Sequence, residues 1–172
     1  MTASPTDSLA ALELIGSGRA FQDQLCAMLE DSQMFGDLEW PEIQALAGYI
    51  QAYRADRGTT LFREGDGGSY LGLVVKGRVD ICKEDRARET KVVATVGPGK
   101  TLGEMAMVDG EPRSATAIAA APTTLAVLTR ENFTRLTQEK PGLAAKVLLK
   151  VARLLSQRLR LTSGVLVDYL EH

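Results

Sequence analysis

Glu104 and Arg113 are the residues whose types and spacing point most directly to chemistry. Glu104 follows Gly103 and opens a short apolar segment, Met105-Ala106-Met107-Val108; eight residues separate it from Arg113, and Ser114 comes next. A glycine lets backbone N–H groups approach an anion closely. A short helical turn behind it directs further N–H groups, and the positive end of its dipole, the same way. An arginine neutralises the charge with a two-pronged contact, and a neighbouring hydroxyl adds a donor. Glu104 would repel a phosphate, so its natural partner is a hydroxyl donor such as a sugar. A ligand with one phosphate and one free sugar hydroxyl satisfies these groups together. Gly103 and Ala106 contribute backbone N–H groups and small size, and Leu102 an apolar wall. Met105 and Met107 read most simply as core residues, although Met105 and Ala115 stay in the candidate ligand-binding set by position. Asp109, Gly110 and Glu111 shape a turn.

The stretch from Leu102 to Thr116 resembles the phosphate-binding cassette of the cyclic nucleotide-binding domain family, through Gly103, Glu104, Ala106, Pro112, Arg113, Ser114, Ala115 and Thr116. Upstream, Leu61-Phe62-Arg63-Glu64-Gly65-Asp66-Gly67-Gly68-Ser69-Tyr70 followed by Leu71-Gly72-Leu73-Val74-Val75-Lys76-Gly77 resembles the family's first signature: a turn, an apolar strand and a glycine. Phe62, Gly72 and Leu102 depart from the commonest residue types there, which concerns packing more than ligand contact. The resemblance spans residues 35–169. It implies that Arg113 and Ser114 hold a phosphate and that Glu104 bonds a ribose hydroxyl. Further on, Arg158-Leu159-Arg160-Leu161-Thr162-Ser163 resembles the long helix of the catabolite-activator branch. Carried over, Thr162 and Ser163 bond the adenine edge, one from the same subunit and one from its neighbour. The resemblance thus implies a homodimer through the C-terminal helix and a cyclic AMP ligand in preference to cyclic GMP. On its own, Thr-Ser in a helix signals only back-bonding to the preceding turn.

Composition narrows the alternatives. A net charge of −2 argues against a nucleic-acid-binding surface. Cys26 and Cys82 have no CxxC spacing and read as small buried residues in a reducing compartment. Leu170-Glu171-His172 resembles the start of an expression tag, and His172 is the one histidine. Setting it aside removes histidine metal sites and histidine-activated nucleophiles, and no nucleophile–base pair is visible, so a binding protein is expected rather than an enzyme. No secretory signal and no apolar window of membrane-spanning length is visible, so a cytoplasmic location is expected, with no membrane partner.

The elements that must position these residues follow from periodicity. Residues 1–8 are polar and expected to be disordered. Leu9, Leu12, Ile15, Phe21, Leu25, Met28 and Leu29 fit one or two helices broken at Gly16-Ser17-Gly18, and another helix starts near Pro41 and runs through Ile50. This N-terminal part is acidic. After Tyr53, short β-like runs at 59–62, 71–76, 78–83, 90–96, 114–120 and 123–128 alternate with Gly, Pro and Asp turns, the pattern of an antiparallel sandwich or jelly roll. Thr129 reads as the N-cap of a helix through Leu136. Past Pro141-Gly142 a long helix carries one apolar flank for the β-roll and one for a partner helix. Its Lys146, Lys150, Arg153, Arg158 and Arg160 read as a solvated face, or as partners of the acidic helices.

The expected class is therefore α+β: an antiparallel β-roll with N-terminal helices, a short cassette helix and a long C-terminal helix. The expected divisions are 1–34, an acidic extension; 35–142, the β-roll with flanking helices; 143–169, the long helix; and 170–172, a tag remnant. A sensor that signals by moving its long helix is one reading. The sensor half of a DNA-binding regulator, cut before its helix-turn-helix, is another, and an interaction module that has lost its ligand is a third; Gly103, Glu104, Arg113 and Ser114 together argue against the last.

Overall fold

A computed structural model describes residues 8–170. The polar N-terminus up to residue 7 and the Glu171-His172 tail lie outside the described residues. Among the described residues nine strands form two antiparallel sheets. One contains β1 (Glu13–Ser17), β2 (Gln51–Ala55), β9 (Thr123–Thr129), β4 (Tyr70–Lys76) and β7 (Thr101–Leu102), in that order. The other runs β3 (Thr60–Phe62), β8 (Thr116–Ala119), β5 (Val79–Glu84), β6 (Thr90–Val96). The helices are α1 (Gln22–Glu30), α2 (Trp40–Ala47), α3 (Glu104–Asp109), α4 (Arg130–Glu139) and α5 (Pro141–Leu170).

Strands β4 and β9 are apolar nearly throughout because both of their faces are covered. They pair with Leu71 opposite Leu128 and Leu73 opposite Ala126, and these four side chains join the core beneath the helices. The alternate positions Tyr70, Val74, Leu125 and Val127 point into the gap between the sheets, where they meet Leu61, Val79 and Ala117. A tight turn at Gly77, whose φ of 91° is left-handed, joins β4 to β5; a side chain there would collide with the Pro122 carbonyl.

The jelly-roll expectation holds, and three local differences have physical causes. Residues 13–15, expected within a helix, and the expected break at Gly16-Ser17 together form strand β1, because pairing with β2 at the sheet edge offers hydrogen bonds and a Glu13–Arg54 ion pair. Gly16 at its irregular register leaves room for the Phe21 ring. Strand β2 carries few β-branched residues, and its pairing with β1 and β9 overrides weak propensity. Two-residue β7 is too short to leave a pattern, yet it delivers Leu102 to Gly103.

Thr129 caps α4 as expected, its Oγ accepting the Asn132 N–H at 3.1 Å. Thr129→Ala should lower stability by about 1 kcal/mol in a urea titration. One residue, Lys140, separates α4 from α5. The root of α5 is buried through Leu143, Ala144, Val147 and Val151, with Leu155 packed at the margin. Lys146 pairs with Glu42 and Lys150 with Asp37, so the basic face meets the acidic N-terminal part as well as solvent. Beyond Leu155 the apolar positions of both expected flanks are in solvent: Leu159 is 68%, Leu161 72% and Leu166 59% exposed. Among the described residues no helix is long and apolar enough to cross a membrane.

Candidate functional site

The site begins where β7 ends. Gly103 has φ 76°, and a Cβ there would strike the Arg113 guanidinium, so glycine serves both the turn and the close approach. Gly110, with φ 73°, closes the short helix α3 at its other end. The chain then returns beside the turn after β3: the Arg113 N–H donates to the Asp66 carbonyl at 2.8 Å, and the Gly65 N–H donates to the Arg113 carbonyl at 2.9 Å. These bonds fix the backbone of Arg113 against the first signature segment. Gly68 lies directly over Ala106, with no space for a side chain between them.

Arg113 is 3% exposed. Its Nη1 donates to the Gly103 carbonyl at 2.9 Å and its Nη2 to the Tyr70 carbonyl at 2.8 Å, while Nε has no hydrogen-bond partner. Burial holds its pKa below the usual arginine value. Glu104 is 2% exposed. One of its oxygens pairs with Arg158 of α5, whose Nη2 also donates to the Thr101 carbonyl at 2.8 Å, and its other oxygen has no partner. Burial lowers the Arg158 pKa too.

Both Glu104 and Arg113 line one cavity of about 350 Å³. Leu102, Gly103, Met105, Ala106, Ser114 and Ala115 line it as well, so eight of the ten expected site residues come together. Ile81, Ala94 and Val96 of the second sheet form an apolar wall. Ser114 is exposed, with its hydroxyl toward the Met105 sulfur at 3.8 Å. Thr162 and Ser163 are not at the cavity; both are exposed on α5, and their hydroxyls donate to the Arg158 and Leu159 carbonyls at 2.9 Å.

Besides that wall, Arg158, Phe62 and Arg130 were not among the expected residues. Arg158 stands one helical turn before Thr162, and that spacing was the available signal. Phe62 stood out only as a packing departure, and it proves to line the cavity. Arg130 at the start of α4 donates to the Gly68 carbonyl at 3.2 Å and to the Ala106 carbonyl, tying α3 to the helix pair behind it.

The described cavity thus offers two arginines, one carboxylate and an apolar wall. Residues 53–140 match the family model for the cyclic nucleotide-binding domain. This chain belongs to that family. The domain is 33% identical over 132 residues to the cyclic AMP receptor protein of Thermus thermophilus, a match over 77% of this chain and 59% of that protein. It is 33% identical over 103 residues to a cAMP-dependent protein kinase regulatory subunit of Eremothecium gossypii, covering 60% of this chain and 21% of the subunit. This cyclic nucleotide-binding domain therefore spans less than two thirds of either curated relative. Its fold is similar to the crystal structure of a cyclic nucleotide-binding domain from Methylobacillus flagellatus KT, with a TM-score of 0.81, 33% identity, and 95% and 92% of the two chains covered.

Proposed function

We propose that this chain senses cyclic AMP, with cyclic GMP the weaker ligand, and signals through the position of α5. The observation that carries this reading is that Arg113 and Glu104, both nearly fully buried, front a single cavity. Arg113 takes the cyclic phosphate with Ser114, and Glu104 takes the ribose hydroxyl. The lining offers a cation for an anion and a carboxylate for a hydroxyl, which suits retention of a ligand without chemical change, so we assign no catalysis. The site acts in the cytoplasm in this reading. Support for cyclic AMP comes from the similarity to a protein named for that ligand. Calorimetric titration with cyclic AMP and cyclic GMP tests it: cyclic AMP should bind more tightly, and absence of heat with both would end the reading.

We further propose that α5 forms the homodimer contact. Ala145, Leu149, Ala152, Ser156, Leu159, Ser163 and Leu166 recur at alternating steps of four and three, and all are exposed in the single chain. That is the heptad seam of a helix pair. In such a pair Thr162 and Ser163 sit at or beside the seam, where their hydroxyls are able to leave the backbone and meet adenine from two subunits. Leu159→Glu places a charge in the seam and should give a monomer in sedimentation at concentrations where the parent is a dimer. A parent that is itself monomeric would refute the assignment.

A further inference from the structure

The guanidinium of Arg113 is buried. Among the described residues no carboxylate forms an ion pair with it. Asp66, which favours the charge from farther away, accepts the Arg63 N–H instead. A buried cation is costly unless something compensates it. Two backbone carbonyls meet the Nη groups, and two aromatic rings supply the rest: the guanidinium carbon is 4.1 Å from the Phe62 ring centroid and 4.8 Å from that of Tyr70, within the ~6 Å range of cation–π attraction.

The rings are arranged for this. Phe62 ends β3 in one sheet and Tyr70 begins β4 in the other, so the pair spans the gap between the sheets. Their centroids are 6.1 Å apart and their planes cross at 69°, forming an open V with Arg113 over both faces. The Tyr70 hydroxyl donates to the Leu61 carbonyl at 3.1 Å, which anchors that ring. Tyr70 therefore holds Arg113 twice, by its carbonyl and by its ring.

We propose that Phe62 and Tyr70 are positioning residues for phosphate capture, their ring faces standing in for a carboxylate counter-ion. A carboxylate would keep a claim on the guanidinium charge that an incoming phosphate must overcome. Ring quadrupoles hold the side chain aimed at the cavity and leave its formal charge to the ligand. The inference rests on Arg113 being the phosphate ligand.

Phe62 is the residue to vary, because Tyr70 lies deeper in the core. Ligand-free protein is observed by NMR at the Arg113 side chain, and cyclic AMP affinity is measured by calorimetry for Phe62→Leu and Phe62→Tyr, each alone and combined with Arg113→Lys. Ring-current shifts of the Arg113 resonances should be present in the parent and in Phe62→Tyr and reduced in Phe62→Leu. Affinity should fall about tenfold in Phe62→Leu and recover in Phe62→Tyr. The effect should shrink in the Arg113→Lys background, where no flat guanidinium remains to stack. An equal loss in both backgrounds would mean that Phe62 acts as plain cavity wall and overturns the proposal, as would Arg113 resonances indifferent to Phe62→Leu. Arg113→Gln with full cyclic AMP affinity overturns the phosphate assignment beneath it, and that failure is read without any change in the ring-current shifts of the parent.

Discussion

Arg113→Gln should weaken cyclic AMP binding by roughly thirty-fold to several-thousand-fold, the range that corresponds to losing one partner of a buried charged contact. The size follows from where the guanidinium sits. It is nearly inaccessible, already oriented by the Gly103 and Tyr70 carbonyls, and has no ion pair among the described residues to rearrange on binding. A phosphate entering the cavity would find its charge partner in place and water largely excluded, so little of the attraction is lost to ordering. Glutamine keeps some polarity but neither the charge nor the two-pronged geometry. The fold should survive, because removing an unpaired buried cation relieves desolvation even as it forfeits two hydrogen bonds. Calorimetry measures the affinity and thermal unfolding without ligand checks the fold; unchanged affinity would place the phosphate elsewhere.

Glu104→Gln should cost roughly ten- to 150-fold in affinity, the range for a hydrogen bond to a charged acceptor. It should also act before any ligand arrives. Glu104 holds Arg158, and Arg158 in turn caps the Thr101 carbonyl, so one carboxylate links the cassette to α5. A neutral amide releases that cation, and amide hydrogen exchange should accelerate around Arg158 while Val147 and Val151 at the buried root keep their protection. Exchange that is the same in both proteins would show that the ion pair does not hold the helix. A ribose analogue lacking the 2′-hydroxyl should bind the parent more weakly and the variant no more weakly than cyclic AMP does.

The legible parts of the molecule were those set by local chemistry. Gly103, Glu104, Arg113 and Ser114 lie within twelve residues of one another, and their roles depend on what each group can donate or accept. The β-runs could be read because Gly77 and the 97–99 turn interrupt them, and the α4 boundary because Thr129 is a capping residue. What escaped depends on distant partners. Strand β2 exists because β1 and β9 flank it, and β1 because an edge was free to receive it. Arg158 enters the site only when α5 folds back over β7, a contact across 54 positions from Glu104, and its spacing from Thr162 was a faint signal of it. Phe62 was visible as an oddity of residue type, but the V it makes with Tyr70 joins two sheets. Thr162 and Ser163 show the opposite error in distance: about one helical turn beyond a residue at the cavity, they lie outside it in a single chain.

The split character of α5 has a mechanical consequence. Its root is wedged in the core as far as Leu155, and about 22 Å of helix extends past that point at 1.5 Å per residue. Such a rod behaves as a lever whose fulcrum is close to the body, so that a tilt of ~10° at the root sweeps its tip by ~4 Å over that length. In the proposed sensor, a sub-ångström adjustment around Glu104 and Arg158 would thereby be magnified into a displacement that a neighbouring molecule could register.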